Sequence, residues 1–166
     1  MLVKSIQDKE VLNKLLKNKI FYSNKTKKNL QYDLYVAYKI MSKYYNWKHL
    51  PIFGCEVGKY SDFYGAILKN PVILTLDVPD NIVKRQIYSD WTDMIYYIKY
   101  PNKLNNGMSI NEFINYVLDN KNINFNKDII QVTMPYINSK WLLYYNDLTE
   151  EFVKKYIKSS KASILK

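Results

Sequence analysis

Cysteine is nearly absent: Cys55 is the only one in 166 residues. An intrachain disulfide is impossible, and a cysteine-built structural metal site is not expected. Glycine is down to four residues. No Walker-type or Rossmann-type glycine spacing occurs, so P-loop ATP hydrolysis and Rossmann dehydrogenase chemistry are disfavoured. His49 is the only histidine, so any Ser-His-Asp or Cys-His machinery would have to use it. Cys55 follows six residues later and allows a Cys-His nucleophile on paper, but no Gly-x-Ser-x-Gly or comparable frame surrounds either residue. A catalytic zinc would need carboxylates to complete its ligand set, so no metal is expected. The 15 acidic residues show no spacing diagnostic of paired-carboxylate hydrolysis. No run of about eighteen apolar residues exists, so no membrane span and no membrane partner are read. The first ten residues contain no apolar h-region, which predicts no secretory signal. A reducing, cytoplasmic setting is the expectation.

Basic residues are abundant. There are 25 Lys and Arg, and the formal net charge is +10. Only Arg85 is an arginine; the rest are lysines. A protein that reads base edges favours arginine, whose planar fork matches guanine and phosphate. Lys, Asn, Ile and Tyr all have A/T-rich codons, so codon usage accounts for part of the basicity. Tyrosine is the other surplus, with 17 copies, including the doublets Tyr44-Tyr45, Tyr96-Tyr97 and Tyr144-Tyr145. Aromatics beside lysines can stack bases or a nicotinamide ring. Most tyrosines, however, pack a core and let the hydroxyl reach water.

Hydrophobic residues make up 48% of the chain, which with this length predicts one α+β domain over residues 1–158 and a frayed tail over 159–166. The sheet is expected to be mixed or antiparallel, with about five helices. Residues 71–100 carry the clearest grammar. Val72, Ile73, Leu74, Leu76 and Val78 form a buried-strand run closed by Pro79-Asp80, and a second apolar run follows over 82–88. Ser89-Asp90 stands where an N-cap belongs, ahead of Trp91, Met94, Ile95 and Ile98 at helical spacing. Residues 2–6 alternate as a first strand. Asp8 caps a helix to about residue 18, with Val11, Leu12, Leu15 and Leu16 on one face. Residues 21–29 read as a basic loop and 31–45 as a second helix. Residues 51–55 read as a short strand and 56–64 as a loop. Ser109-Ile110-Asn111-Glu112 is a capping box that opens a helix over 110–119. Residues 128–134 and 140–145 read as late strands, and Thr149 caps a last helix over 150–158.

Several of these pieces, in order, resemble a bacterial family of small proteins of unknown function. They are Lys4-Ser5-Ile6-Gln7, Ala37-Tyr38, Pro51-Ile52-Phe53, Leu74-Thr75-Leu76-Asp77-Val78-Pro79, Ser89-Asp90-Trp91, Gln131-Val132-Thr133 and Lys140-Trp141. The family carries tryptophan where this chain has Phe53. More distantly, the layout resembles the ADP-ribosyltransferase fold. That resemblance puts Gln7, at the end of the first strand, at the nicotinamide-site position. It puts Gln131, ahead of a proline-bearing hairpin, where the family's ribose-orienting Glu stands. A glutamine can hydrogen-bond a ribose hydroxyl but cannot serve as a carboxylate base or stabilise an oxocarbenium ion by charge. Glu56 or Asp77 could replace the carboxylate only where the fold brings them close.

Two functional expectations follow. The first, implied by the resemblance, is an ADP-ribosyltransferase-like protein that binds NAD or a related nucleotide in a cleft. Gln7 and Gln131 would be its catalytic pair. Gln7, Tyr38 and Ser89 would line the cleft, with Arg85 or Lys59 near phosphate. Its target would be a macromolecule, nucleic acid or protein. The second is a non-enzymatic basic binder, such as a phage-borne or defence-related inhibitor covering a nucleic acid or nucleoprotein surface. Lys25, Lys27 and Lys28 in the first loop and Lys154, Lys155 and Lys158 in the last helix would make its contacts.

Overall fold

The computed structural model describes residues 1–57, 70–119, 121, 123–125 and 127–148. In chain order the elements are β1 (Leu2–Asp8), α1 (Lys9–Leu16), β2 (Phe21–Tyr22), α2 (Tyr32–Tyr44), β3 (Ile52–Glu56), β4 (Pro71–Asp77), β5 (Lys84–Ile87), α3 (Tyr88–Lys99), α4 (Ile110–Asp119), β6 (Ile130–Met134), β7 (Tyr136–Ile137) and β8 (Leu142–Asp147). The protein is α+β, as its patterning predicts. Four α-helices lie among the described residues; the helix expected over 150–158, the loop residues 58–64 and the tail fall outside them.

Six strands form one sheet in the order β5-β6-β3-β1-β4-β8, and every pairing is antiparallel. β4 is sandwiched between β1 and β8, and Val72, Ile73, Leu74, Thr75 and Leu76 are all buried. That burial on both faces is why its sequence reads as an unbroken apolar run instead of an alternating one. β3 divides its partners. Ile52, Phe53 and Gly54 pair with β6, whereas Cys55 and Glu56 pair with β1.

Two cores form, one on each side of the sheet. Val11, Leu12 and Leu15 of α1, with Phe21 and Ile137 of the two-stranded β2–β7 ribbon, pack on Val3, Val72, Leu74, Leu76, Val132 and Met134. Leu16, expected in this stripe, is exposed. On the other side α2, α3 and α4 contribute Ala37, Tyr38, Met41, Trp91, Met94, Phe113, Val117 and Leu118, with Phe53 packed against them.

The helix ends follow local chemistry. α1 and α2 each stop at an asparagine with φ near 55°, Asn18 and Asn46. The Lys19 N–H bonds the Lys14 carbonyl and the Trp47 N–H bonds that of Ser42, which is the Schellman arrangement that asparagine tolerates at a left-handed position. α4 starts at its capping box: the Ser109 N–H donates to Glu112 Oε2 at 2.7 Å, and the Glu112 N–H to Ser109 Oγ at 3.3 Å. α3 corrects an expectation. It begins at Tyr88, directly after β5, with Ile87 as N-cap, so Ser89 and Asp90 lie inside the first turn. The Tyr88 N–H is taken by the Ile129 carbonyl, and no side chain caps this helix start. Residues 21–22, read as loop, form β2 by pairing with β7.

Candidate functional site

Residues paired across antiparallel strands share a face of the sheet, and the face alternates along each strand. Lys4 pairs with Cys55 and with Thr75. Phe53, two residues before Cys55, pairs with Thr133. Gln131, two residues before Thr133, pairs with Gln86. Thr75, Lys4, Cys55, Phe53, Thr133, Gln131 and Gln86 therefore share one face, on which α2, α3 and α4 pack at Phe53 and Gln86. Val3, Ser5 and Gln7 point the other way, towards α1. Gln7 Nε2 donates to Ser5 Oγ at 2.9 Å, and Gln7 pairs with Val72.

Gln7 and Gln131 thus lie on opposite faces, and the shared hollow expected between them is not formed. The sequence put both glutamines on strands. It did not contain the count through β3, the strand that lies between theirs, and that count decides the faces.

The face that carries Gln131 holds two unusual atoms. Thr75 Oγ1 and Gln131 Nε2 are buried without a hydrogen-bond partner. A buried polar atom left unpaired costs about 1–3 kcal/mol, so native structures keep few of them. Between these two positions stand Lys4 and Cys55. Lys4 pairs with both Cys55 and Thr75, so a thiol, an ammonium and a hydroxyl stand in register on three strands; Gln131 is on the next strand, one residue beyond the last β3–β6 pair, Gly54 with Val132. Lys4 and Gln131 are half-buried as residues, whereas Cys55, Thr75 and the Gln131 Nε2 atom are buried. On the same face Phe53 contacts Tyr38 and Trp91, with ring centroids 4.8 and 5.5 Å apart. Burial pushes the Tyr38 phenol well above its ordinary value.

Of the expected cleft residues, Tyr38 and Gln131 share this side. Arg85 does not. It pairs with Val132 on the α1 side, where its guanidinium lies 3.8 Å from Glu56 Oε2 and over the Phe125 ring. Ser89 is on the first turn of α3, and its hydroxyl donates to Asp90 Oδ1 at 3.4 Å. The neighbouring Asp90 carboxyl is held above the usual aspartate range by burial, with Asp93 and Asp128 adding to the effect. Lys25, Lys27 and Lys28 are exposed. Lys59, Lys154, Lys155 and Lys158 lie outside the described residues. The His49 ring stacks on Tyr22 with centroids 4.4 Å apart, and Cys55 is buried in the sheet.

Neither substitute carboxylate reaches Gln131. Glu56 pairs with Val3 on the α1 face. Asp77 is three strands away and lies 3.5 Å from the N-terminal ammonium. Sequence reasoning named Lys4 and Thr75 only as members of motifs and gave neither a role in a site. It also passed over the buried network in which Gln86 Nε2 donates to Thr133 Oγ1 and to the Tyr45 hydroxyl, and Tyr45 donates to the Leu118 carbonyl. A polar residue inside an apolar strand was the available signal.

Among the described residues no three His, Cys, Asp or Glu side chains gather as a metal site, and no helix is long and apolar enough to cross a membrane. The described residues define an α+β protein with unpartnered polar atoms buried on one face of its sheet. Comparison with protein-family models, curated proteins and solved structures returns no match.

Proposed function

We propose that the protein binds NAD or a related nucleotide against the face of the sheet that carries Gln131, in the manner of an ADP-ribosyltransferase-like protein. The observation that carries this reading is the unpartnered amide of Gln131 on the same face as the Lys4 ammonium. An unsatisfied donor with a cation two strands away on the same face suits an anionic ligand rich in acceptors. Gln131 donates to a ribose hydroxyl or phosphate oxygen, and Lys4 balances phosphate charge.

This set binds and orients; it does not provide a carboxylate for transfer. Gln131 cannot act as a base, and Gln7 takes no part. The reading is therefore of a nucleotide-binding protein, with ADP-ribose transfer outside what this set supplies.

Isothermal titration with NAD and with ADP-ribose tests it. Saturable heat at submillimolar to millimolar ligand, lost in Gln131→Leu, is the expected result. No heat at millimolar ligand with folded protein would end it, as would unchanged binding in Gln131→Leu.

A further inference from the structure

Four rings form a ladder beside the β2–β7 ribbon. Tyr22 lies 4.4 Å from His49 and 5.9 Å from Tyr136, and Tyr136 lies 5.1 Å from Trp141. The rings come from three separate segments, residues 17–32, 34–55 and 129–146. Those segments contain nine lysines and not one aspartate or glutamate. Lys48 adjoins His49 and Lys140 adjoins Trp141 in the chain; both are exposed, as are Lys19, Lys25, Lys27 and Lys28. Asp8 is the carboxylate that lies near Lys25. Tyr22 keeps 43% of its surface in solvent, and His49, Tyr136 and Trp141 are half-buried. The four rings that meet here thus come from stretches that carry no carboxylate.

We propose that this ladder is a contact surface for single-stranded nucleic acid. Exposed aromatic rings offer stacking platforms to unpaired bases, and flanking lysines follow the phosphates. Base faces stack on such rings whatever the sequence, and a lysine-only surface lacks the arginine fork that reads guanine. Binding is therefore tolerant of sequence. It discriminates against duplex, whose bases are already stacked on one another. The surface is separate from the residues around Gln131 and does not depend on them.

The test is fluorescence anisotropy with labelled oligothymidine, oligouridine and a duplex at low salt, using the full chain. Both single strands should bind, and the duplex more weakly. Comparison of the first two tells whether DNA or RNA is preferred. Affinity should fall log-linearly with salt, as counterion release requires. Tyr22→Ala should weaken binding about tenfold, the scale of losing one stacked base. Lys48→Gln and Lys140→Gln should each lower the salt slope by about one. Because Tyr22 is substantially exposed, Tyr22→Ala keeps the fold, and a thermal melt confirms it. Absence of binding at low salt overturns the proposal. So does an equal affinity for duplex, and so does a Tyr22→Ala variant that binds like the parent.

Discussion

Ser5 Oγ donates to the Phe53 carbonyl oxygen at 2.7 Å, where the strand pairing of β1 and β3 has already stopped. β1 and β3 pair at Val3 with Glu56 and at Lys4 with Cys55; beyond them the Ser5 hydroxyl does what a backbone N–H would do in a longer ladder. Ser5 is itself buried and accepts from Gln7 Nε2. Ser5→Ala removes both bonds and leaves the Phe53 carbonyl without this donor. The expected cost is about 1–3 kcal/mol, read as a lower denaturant midpoint at unchanged slope. A midpoint equal to the parent's would show that water fills the role.

Gly54 stands at the same junction for a steric reason. A Cβ there would sit 2.6 Å from the Lys4 carbonyl oxygen and 2.8 Å from Val3 Cγ1. The first neighbour is backbone and cannot rotate away. Gly54→Ala should force β1 and β3 apart at a cost of about 1–3 kcal/mol. Urea titration reads it; an unaltered midpoint would mean the strands separate freely.

The unpartnered atoms predict the opposite sign. Thr75→Val removes a buried hydroxyl that has no hydrogen bond and keeps the side-chain volume. It should stabilise the protein by about 1 kcal/mol. Gln131→Leu should likewise raise the melting temperature while abolishing nucleotide heat. A stabilised variant that no longer binds is the pattern of a residue held for function. Destabilisation by both substitutions would show that these atoms have partners in solution.

The α4 cap predicts a pH effect. The Ser109 backbone N–H, and then its hydroxyl, hold the Glu112 carboxyl below the ordinary glutamate range. The folded state therefore favours the ionised form. The associated stability is present above the ordinary glutamate value and is lost as pH falls through the folded one. Ser109→Ala, which deletes the hydroxyl cap, should cost about 1 kcal/mol at neutral pH and should lose less at low pH. Thermal melts across the acid range check it, and an equal loss at every pH would refute the coupling.

Asp90 has the reverse sign. Burial, with Asp93 and Asp128 adding to it, raises its carboxyl above the ordinary value against the Ser89 hydrogen bond. The folded protein holds a proton that the unfolded chain has already released. Stability from this group is present at low pH and falls as pH rises through the folded value. Asp90→Asn should match the parent in acid and exceed it at neutral pH. Carboxyl chemical shifts of Asp90 give the direct reading, and a value at or below the ordinary one would contradict it.

What the chain announced and what it withheld differ in physical kind. β4 was legible because burial on both faces writes an apolar run. α4 was legible to the residue because both halves of its capping box lie within four positions. Ser89-Asp90 looked like the same kind of signal, but β5 runs straight into α3 and Ile129 already serves the Tyr88 N–H. β2 is two residues long and exists only through β7, so no local pattern marks it. Gln7 and Gln131 were correctly placed on strands. Their faces depend on register through β3, a long-range quantity that single-sequence periodicity does not carry. Thr75 and Lys4 were hidden in the same way, since a strand's pattern does not say which interior positions lack a partner.

β3 gives three residues to one neighbour and two to the other, and this has a kinetic consequence. Among the described residues few backbone bonds tie the β5-β6-β3 half of the sheet to the β1-β4-β8 half, so the seam between Lys4 and Cys55 is the weakest line across this part of it. Deuterium should enter amides along that line before it reaches the centre of β4, and each half should behave as its own opening unit.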